Sequence, residues 1–203
     1  MAGLREQKKA RTRAALAAAA SDLFARYGYP NVTMAQVAEL AGVADQTLYN
    51  YFPTKESLVF DKAGELEQAV LGALAECPPD ARMLDAFTGW LTAFVSGGDA
   101  RRALASPGGM PRLAAASTGL HRALLDYAHQ LAAKLAAQLR DGQDVPGPVA
   151  QVRADALLAL FVRAVERLGA APSEAALPVI AADLAASADA LRPLFPPSPG
   201  NNH

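Results

Sequence analysis

Cysteine is almost missing from this chain: Cys77 stands alone in 203 residues. A lone cysteine excludes an internal disulfide and fits a reducing, cytoplasmic setting. It sits just before Pro78-Pro79, where a helix must end, and reads as a small apolar residue rather than a redox switch. Histidine is scarce too, and the three, His121, His129 and His203, do not cluster. On a helix of 3.6 residues per turn the first two point roughly 80° apart, so no metal site is expected. No Ser or Cys stands in a nucleophile elbow, and the Gly-Gly pairs are not phosphate loops. Nothing positive therefore argues for an enzyme, and no cofactor is expected. No run approaches the ~18–20 apolar residues of a membrane span. Arg11-Thr12-Arg13 before Ala14 to Ala20 imitates a secretory leader. Its apolar run is short and weak, however, and Asp22 and Arg26 follow at helical spacing, so it reads as helix. Strand-like alternation and internal repeats are absent from the pattern.

Net charge is also close to nil, at −1, but it is unevenly spread. Met1 to Lys55 holds seven Lys/Arg against four Asp/Glu, and the remainder twelve against sixteen. A basic first quarter on an acidic remainder suits a DNA-binding end joined to something that does not bind DNA. Hydrophobic residues make up 52%, enough for a sizeable core.

The stretch from Val32 to Leu58 organises the chain. Thr33 with Gln36 forms a capping box for a helix over 33–40 whose inner side is Val37, Ala38 and Leu40. Gly42 supplies the left-handed position that stops it. A second helix over 44–51 turns Leu48 inward and leaves Asp45, Gln46, Tyr49 and Asn50 on other faces. Helix, Gly-containing turn and helix with a polar, aromatic outer face describe a DNA-reading helix-turn-helix.

Elsewhere 3.6-residue periodicity predicts helices over 9–27 (stripe Leu16, Ala20, Leu23, Phe24, Tyr27), 54–76 and 80–96. Further helices are expected over 99–107, 111–140 and 148–169, and from Ser173 or Pro178 to Leu191. Thr54 and Asp80 are the expected caps of two of them. Residues 1–10 read as a mobile basic arm and 193–203 as a disordered tail. The fold class is thus all-α, about nine helices, divided as 1–54, 55–192 and the tail.

The residues from Arg11 to Leu58 resemble the N-terminal domain of the TetR/AcrR family of transcriptional regulators. Ala41-Gly42-Val43, Thr47-Leu48-Tyr49-x-Tyr51-Phe52, and Lys55, Glu56 and Leu58 carry the resemblance most specifically. It covers roughly a quarter of the chain. Ala44 departs from it, standing where the family often has a capping Ser; Met34 stands where some relatives place a basic base-reading residue. The helix face gives Asp45, Gln46 and Tyr49 as base contacts: a carboxylate accepts from cytosine N4, and Gln suits adenine. The resemblance implies phosphate contacts at Thr33, Thr47, Tyr51 and Lys55, with Asn50 touching either.

It also implies a C-terminal effector pocket. Met83, Phe87, Trp90, Phe94, Tyr127 and Phe161, with Leu124 on the stripe of the 111–140 helix, are its candidates, although the same spacing suits ordinary core. Ser117 and His121 interrupt an apolar stripe and so need partners. A two-fold homodimer is implied as well, packed through Leu157, Val165, Leu184, Ala188 and Leu191 as a four-helix bundle. The expected protein is a repressor that leaves a pseudo-palindromic operator when it binds a small, largely apolar effector. An activator or architectural binder without effector, and an enzyme with a vestigial helix-turn-helix, remain as other readings.

Overall fold

A computed structural model describes residues 3–98, 100–101, 108–143 and 145–197. Those residues form ten α-helices and no strand. The first four build a small N-terminal head: α1 (Leu4–Tyr27), α2 (Met34–Leu40), α3 (Asp45–Tyr51) and α4 (Lys55–Val59). The others build the body: α5 (Ala63–Leu74), α6 (Ala81–Ser96), α7 (Met110–Ala116), α8 (Thr118–Gln143), α9 (Gly147–Ala170) and α10 (Leu177–Leu191).

The head closes over Leu16, Ala20, Phe24, Val37, Ala38, Leu48, Phe52 and Leu58, all buried. Gly28 at φ +77° ends α1, a conformation that a Cβ would oppose. A one-turn 3-10 segment, Tyr29–Asn31, then leads to α2. Tyr27 and Leu40, expected inside, are exposed, and Tyr29 takes the inner place. The first residues are no loose arm, because α1 is already helical at Leu4.

In the body α9 is the central helix, packed against α6, α7, α8 and α10. Its inner side, Ala154, Leu157, Leu158, Phe161, Ala164, Val165 and Leu168, is apolar and buried. α6 lies chiefly on α10, beside α5 and α9. α5 is zipped to α8 by three side chains: the Tyr127 hydroxyl donates to Ala63 O at 2.7 Å, Lys134 Nζ pairs with Glu67 at 2.7 Å, and Gln138 Nε2 donates to Leu71 O at 3.3 Å.

Two expected helices are each broken once. The stretch expected over 54–76 stops at Val59 and resumes at Ala63. The 111–140 stretch breaks at Ser117, which is extended (φ −135°, ψ 116°) and uses its Oγ to accept from Leu120 N at 3.4 Å. Ser117 therefore starts α8 instead of interrupting its apolar side. Periodicity alone does not register such breaks, because the apolar stripe resumes in nearly the same phase. The segment expected as a helix over 99–107 falls mostly outside the described residues.

The tail is also more ordered than its prolines suggest. Arg192–Leu194 makes a 3-10 turn, and Phe195 is buried. Arg153 from α9 holds it, with Nε donating to Leu194 O at 2.9 Å, Nη1 donating to Pro79 O, and the guanidinium over the Phe195 ring at 5.7 Å. Burial pulls the Arg153 guanidinium below its ordinary range, partly offset by the nearby Asp80 carboxylate. Residues 198–203 of the expected disordered tail lie outside the described residues. Phe195→Ala should lower unfolding stability by about 3 kcal/mol in urea titration, the cost of emptying a phenylalanine site. A loss below about 0.5 kcal/mol, the size of surface substitutions, would show that the strap does not belong to the core.

Candidate nucleic-acid interface

Both halves of the expected capping box are present at α2. Gln36 N donates to Thr33 Oγ1 at 3.3 Å, and Thr33 N donates to Gln36 Oε1 at 2.8 Å. Gly42, at φ +67°, makes the turn into α3. Ala44 leaves α3 without a side-chain cap, so Asp45 in the first turn is the negative group facing the helix dipole.

α3 buries Leu48 completely, with Phe52 just beyond its end. The opposite side carries Asp45, Gln46, Tyr49 and Asn50, all exposed, with Tyr49 at 48%. Gln46 Nε2 donates to Asn50 Oδ1 at 3.2 Å, which orders two amides into one polar edge. A seven-residue helix showing an amide pair, a carboxylate and a phenol has the width and chemistry to enter a major groove. Thr33 is exposed, and Thr47 and Tyr51 are half-buried at the rim.

Lys55 does something other than expected. Its ammonium turns into the head, donating to Tyr29 O at 2.7 Å and Val32 O at 2.8 Å and sitting 4.3 Å over the Tyr29 ring. The carbonyls past the end of α1 need donors, and an ammonium on a long stem supplies them from another helix. Lys55 is thus occupied as a pin, where a hand for phosphate was anticipated. Beside it the Tyr29 hydroxyl donates to Glu56 Oε1 at 2.9 Å. Burial, then this carboxylate, raises the Tyr29 phenol well above its ordinary range. The Glu56 carboxyl is held low, first by its own backbone N–H and then by Tyr29, Thr54 and Lys55.

Sequence reasoning gave Arg13 no role, yet it spans the head. Its guanidinium stands 4.5 Å over the buried Phe52 ring and donates to Tyr51 O at 3.5 Å and Asp61 O at 3.3 Å. Its Nε is 2.6 Å from the buried Asp61 Oδ1, an ion contact without hydrogen-bond alignment. One side chain of α1 thereby holds both the end of α3 and the break between α4 and α5. The signal available was only an Arg three residues before the Leu16 stripe.

The other expected positions scatter. Met83, Phe87, Leu124 and Phe161 are fully buried core, while Trp90 and Phe94 stack at 5.7 Å and are half-buried. Tyr127 is committed to Ala63 O, and its phenol is pushed up to about 12 by burial and then by Glu67. His121 pairs with Glu166 at 3.7 Å across to α9. Phe87, Trp90, Phe94 and Phe161 nevertheless form one line of ring contacts from α6 to α9, at 5.6, 5.7 and 6.3 Å. Leu157, Val165, Leu184 and Ala188 are buried within their own chain, with Leu191 packed against the same core, so they are not a surface that a second copy can cover. The correction to the seam has a plain cause: periodicity finds the apolar side of a helix but not the neighbour that side meets. Among the described residues there is no group of His, Cys, Asp or Glu that could hold a metal, and no helix long and apolar enough to cross a membrane.

Replacing Lys55 by Met, which keeps the stem, should cost the head about 1–3 kcal/mol, the range for hydrogen bonds from a charged donor. Thermal unfolding followed by circular dichroism reads it. Unchanged stability with a reduced salt dependence of DNA binding would return Lys55 to a phosphate role.

Comparison with known proteins agrees with this geometry. Residues 16–61, which run from α1 through the α4–α5 break, match the family model described as "Bacterial regulatory proteins, tetR family". The chain is 29% identical over 150 residues to the HTH-type transcriptional regulator TcmR of Streptomyces glaucescens, covering 74% of this chain and 62% of that one. It is 39% identical over 56 residues to RutR of Escherichia coli (strain K12), covering 28% of this chain and 26% of that one. The chain therefore spans less than two thirds of the length of either regulator. The solved structure of a TetR-family regulator from Mesorhizobium loti MAFF303099 shares its fold, with a TM-score of 0.55 at 19% identity over 93% of this chain and 98% of that one. The N-terminal head thus matches the tetR family of bacterial regulatory proteins over residues 16–61, and the chain shares its all-helical fold with a TetR-family regulator.

Proposed function

We propose that this protein is a cytoplasmic, homodimeric transcriptional regulator that reads a pseudo-palindromic operator through α3 and acts as a repressor released by a small, largely apolar effector. One observation carries the reading: α3 is anchored by the buried Leu48 and Phe52 while Asp45, Gln46, Tyr49 and Asn50 face outward. Base contacts fall to Asp45, Gln46 and Tyr49, and backbone contacts to Thr33, Thr47 and Tyr51 at the rim, with Asn50 serving either. The exposed Arg5, Lys8, Lys9 and Arg11 on the first turns of α1 add positive charge near that face. The functional joint between DNA-reading and effector-binding parts falls at the α4–α5 break.

A single small head binds DNA weakly, so two half-sites are physically expected. With the inner faces of α9 and α10 occupied, the dimer seam is assigned to their outer faces. They carry Val152 at 51% and Val179 at 65% exposure, with Ala156, Ala159, Ala182 and Ala186 beside them and the exposed Asp155 and Arg163 among them. Asp183 joins the two helices by pairing with Arg163 at 3.0 Å and Arg167 at 3.1 Å, which makes one continuous surface. Val152→Glu with Val179→Glu should give folded monomers in sedimentation, since each places an unpaired charge in the seam. A double variant that stays dimeric would put the seam elsewhere.

The filled positions of Met83, Phe87, Leu124 and Phe161 favour a second reading, a DNA binder without an effector. Selection of bound duplexes from a random pool tests the DNA part. The wild type should enrich one palindromic sequence, and Tyr49→Ala should lose about 1–3 kcal/mol of discrimination while keeping its helicity and dimer. Enrichment of no sequence would contradict the reading, as would a Tyr49→Ala protein that selects the same sites equally well.

A further inference from the structure

The buried Leu48 fixes which way α3 faces. At about 100° per residue, the direction opposite Leu48 falls between Gln46 and Asn50, about 20° from each. These two side chains therefore form the outermost line of the helix, with Asp45 and Tyr49 to one side of it. They also touch each other: Gln46 Nε2 donates to Asn50 Oδ1 at 3.2 Å, one turn further on. Both are exposed, so the bond does not serve the core of the head. Such a pair adds little to helix stability in water. What it changes is the set of hydrogen-bonding groups that α3 offers.

A carboxamide carries two N–H donors and one acceptor oxygen. With one N–H committed to Asn50, Gln46 retains one donor and Oε1 as acceptor. In the major groove adenine offers N7 as acceptor and N6 as donor, which this remaining pair of groups matches. Guanine offers two acceptors, O6 and N7, and bidentate contact with it needs two donors. A recognition helix reads bases with its N-terminal residues. Gln46 stands in the first turn of α3 and Asn50 in the last, so Gln46 reaches forward and Asn50 stands behind it.

We propose that Asn50 is a positioning residue that sets Gln46 to read adenine and reject guanine. Asn50 Oδ1 holds one Gln46 N–H, the other donates to adenine N7, and Gln46 Oε1 accepts from adenine N6. The inference rests on the reading of α3 proposed above and narrows it, because Asn50 acts through Gln46 in place of a base or phosphate contact of its own.

The test uses the duplex selected by the wild type and a set in which each base pair of the half-sites is exchanged in turn, with affinities read by fluorescence anisotropy. Gln46→Ala locates the base pair that Gln46 reads. There the wild type should prefer adenine to guanine by about 5–150-fold, the range for one bidentate base contact. Asn50→Ala frees the second N–H and should bring the two bases to within about threefold, the order of one ordinary hydrogen bond. Asn50→Asp keeps an acceptor for Gln46. Its carboxylate, repelled by the phosphates, should weaken all duplexes alike while the adenine preference stays within about twofold of wild type, less than one hydrogen bond is worth. Circular dichroism should show all three variants folded, since both positions are exposed. Three results would each overturn the positioning role and leave Gln46 as a reader: guanine preferred by the wild type at that pair, an adenine preference that survives Asn50→Ala, or one that Asn50→Asp abolishes. A Gln46→Ala protein with unchanged preference at every base pair, or a wild type that selects no sequence, instead sinks the α3 reading itself, and the inference falls with it.

Discussion

The chain leaving α1 turns back on itself at Gly28 and presents two carbonyls to the head, Tyr29 O and Val32 O, the former also accepting from Val32 N at 3.4 Å. The Lys55 ammonium answers both, at 2.7 and 2.8 Å, beneath a ring that cannot move without disturbing it. Much of the head's geometry depends on that closure. It fixes the first turn of α4 against the end of α1, with α2 packed on α1 and α3 on α2. Arg13 makes the matching tie on the far side, from α1 to the end of α3 and to Asp61 in the α4–α5 break. Two cations thus hold by polar contacts a unit whose apolar core is small.

Past the break the physics changes. α5 is bound sideways to α8 through Tyr127, Lys134 and Gln138, and the body is held by apolar packing around α9. Among the described residues, head and body are joined at the one-turn break at Phe60–Lys62 and approach by backbone at Gly108. A body that shifts relative to the head must bend the first or separate the second. Either changes where α3 points, which is the quantity a two-site DNA reader has to control.

The head was almost fully legible in the sequence, and for physical reasons. Capping boxes, a positive-φ glycine and short apolar stripes are local signals, and Thr33, Gly42 and Leu48 all stand as expected. Legibility failed where a residue's role is set by a distant partner. The resemblance assigned Lys55 to phosphate, and nothing local pointed to the carbonyls it serves, which lie more than twenty residues away. Tyr27, expected inside, is exposed and Tyr29 is buried instead, because Gly28 turns the chain between them. In the body, stripes were found but not their neighbours, so the same residues suited a pocket and a packed core alike. The dimer seam was likewise placed on sides that α9 and α10 bury within their own chain. The buried Phe195 was missed because proline content masked the cation waiting for it at Arg153.

The proposed operator reading requires two copies to present two α3 helices to one duplex. Sedimentation of the purified chain with its selected duplex, combined with a hydroxyl-radical footprint, measures this most directly. Two chains per duplex are expected, with two protected major-groove segments related by a two-fold axis and centred about one helical turn or a multiple of it apart, about 34–36 Å for one turn. One chain per duplex protecting a single segment, or uniform protection without symmetry, would contradict it.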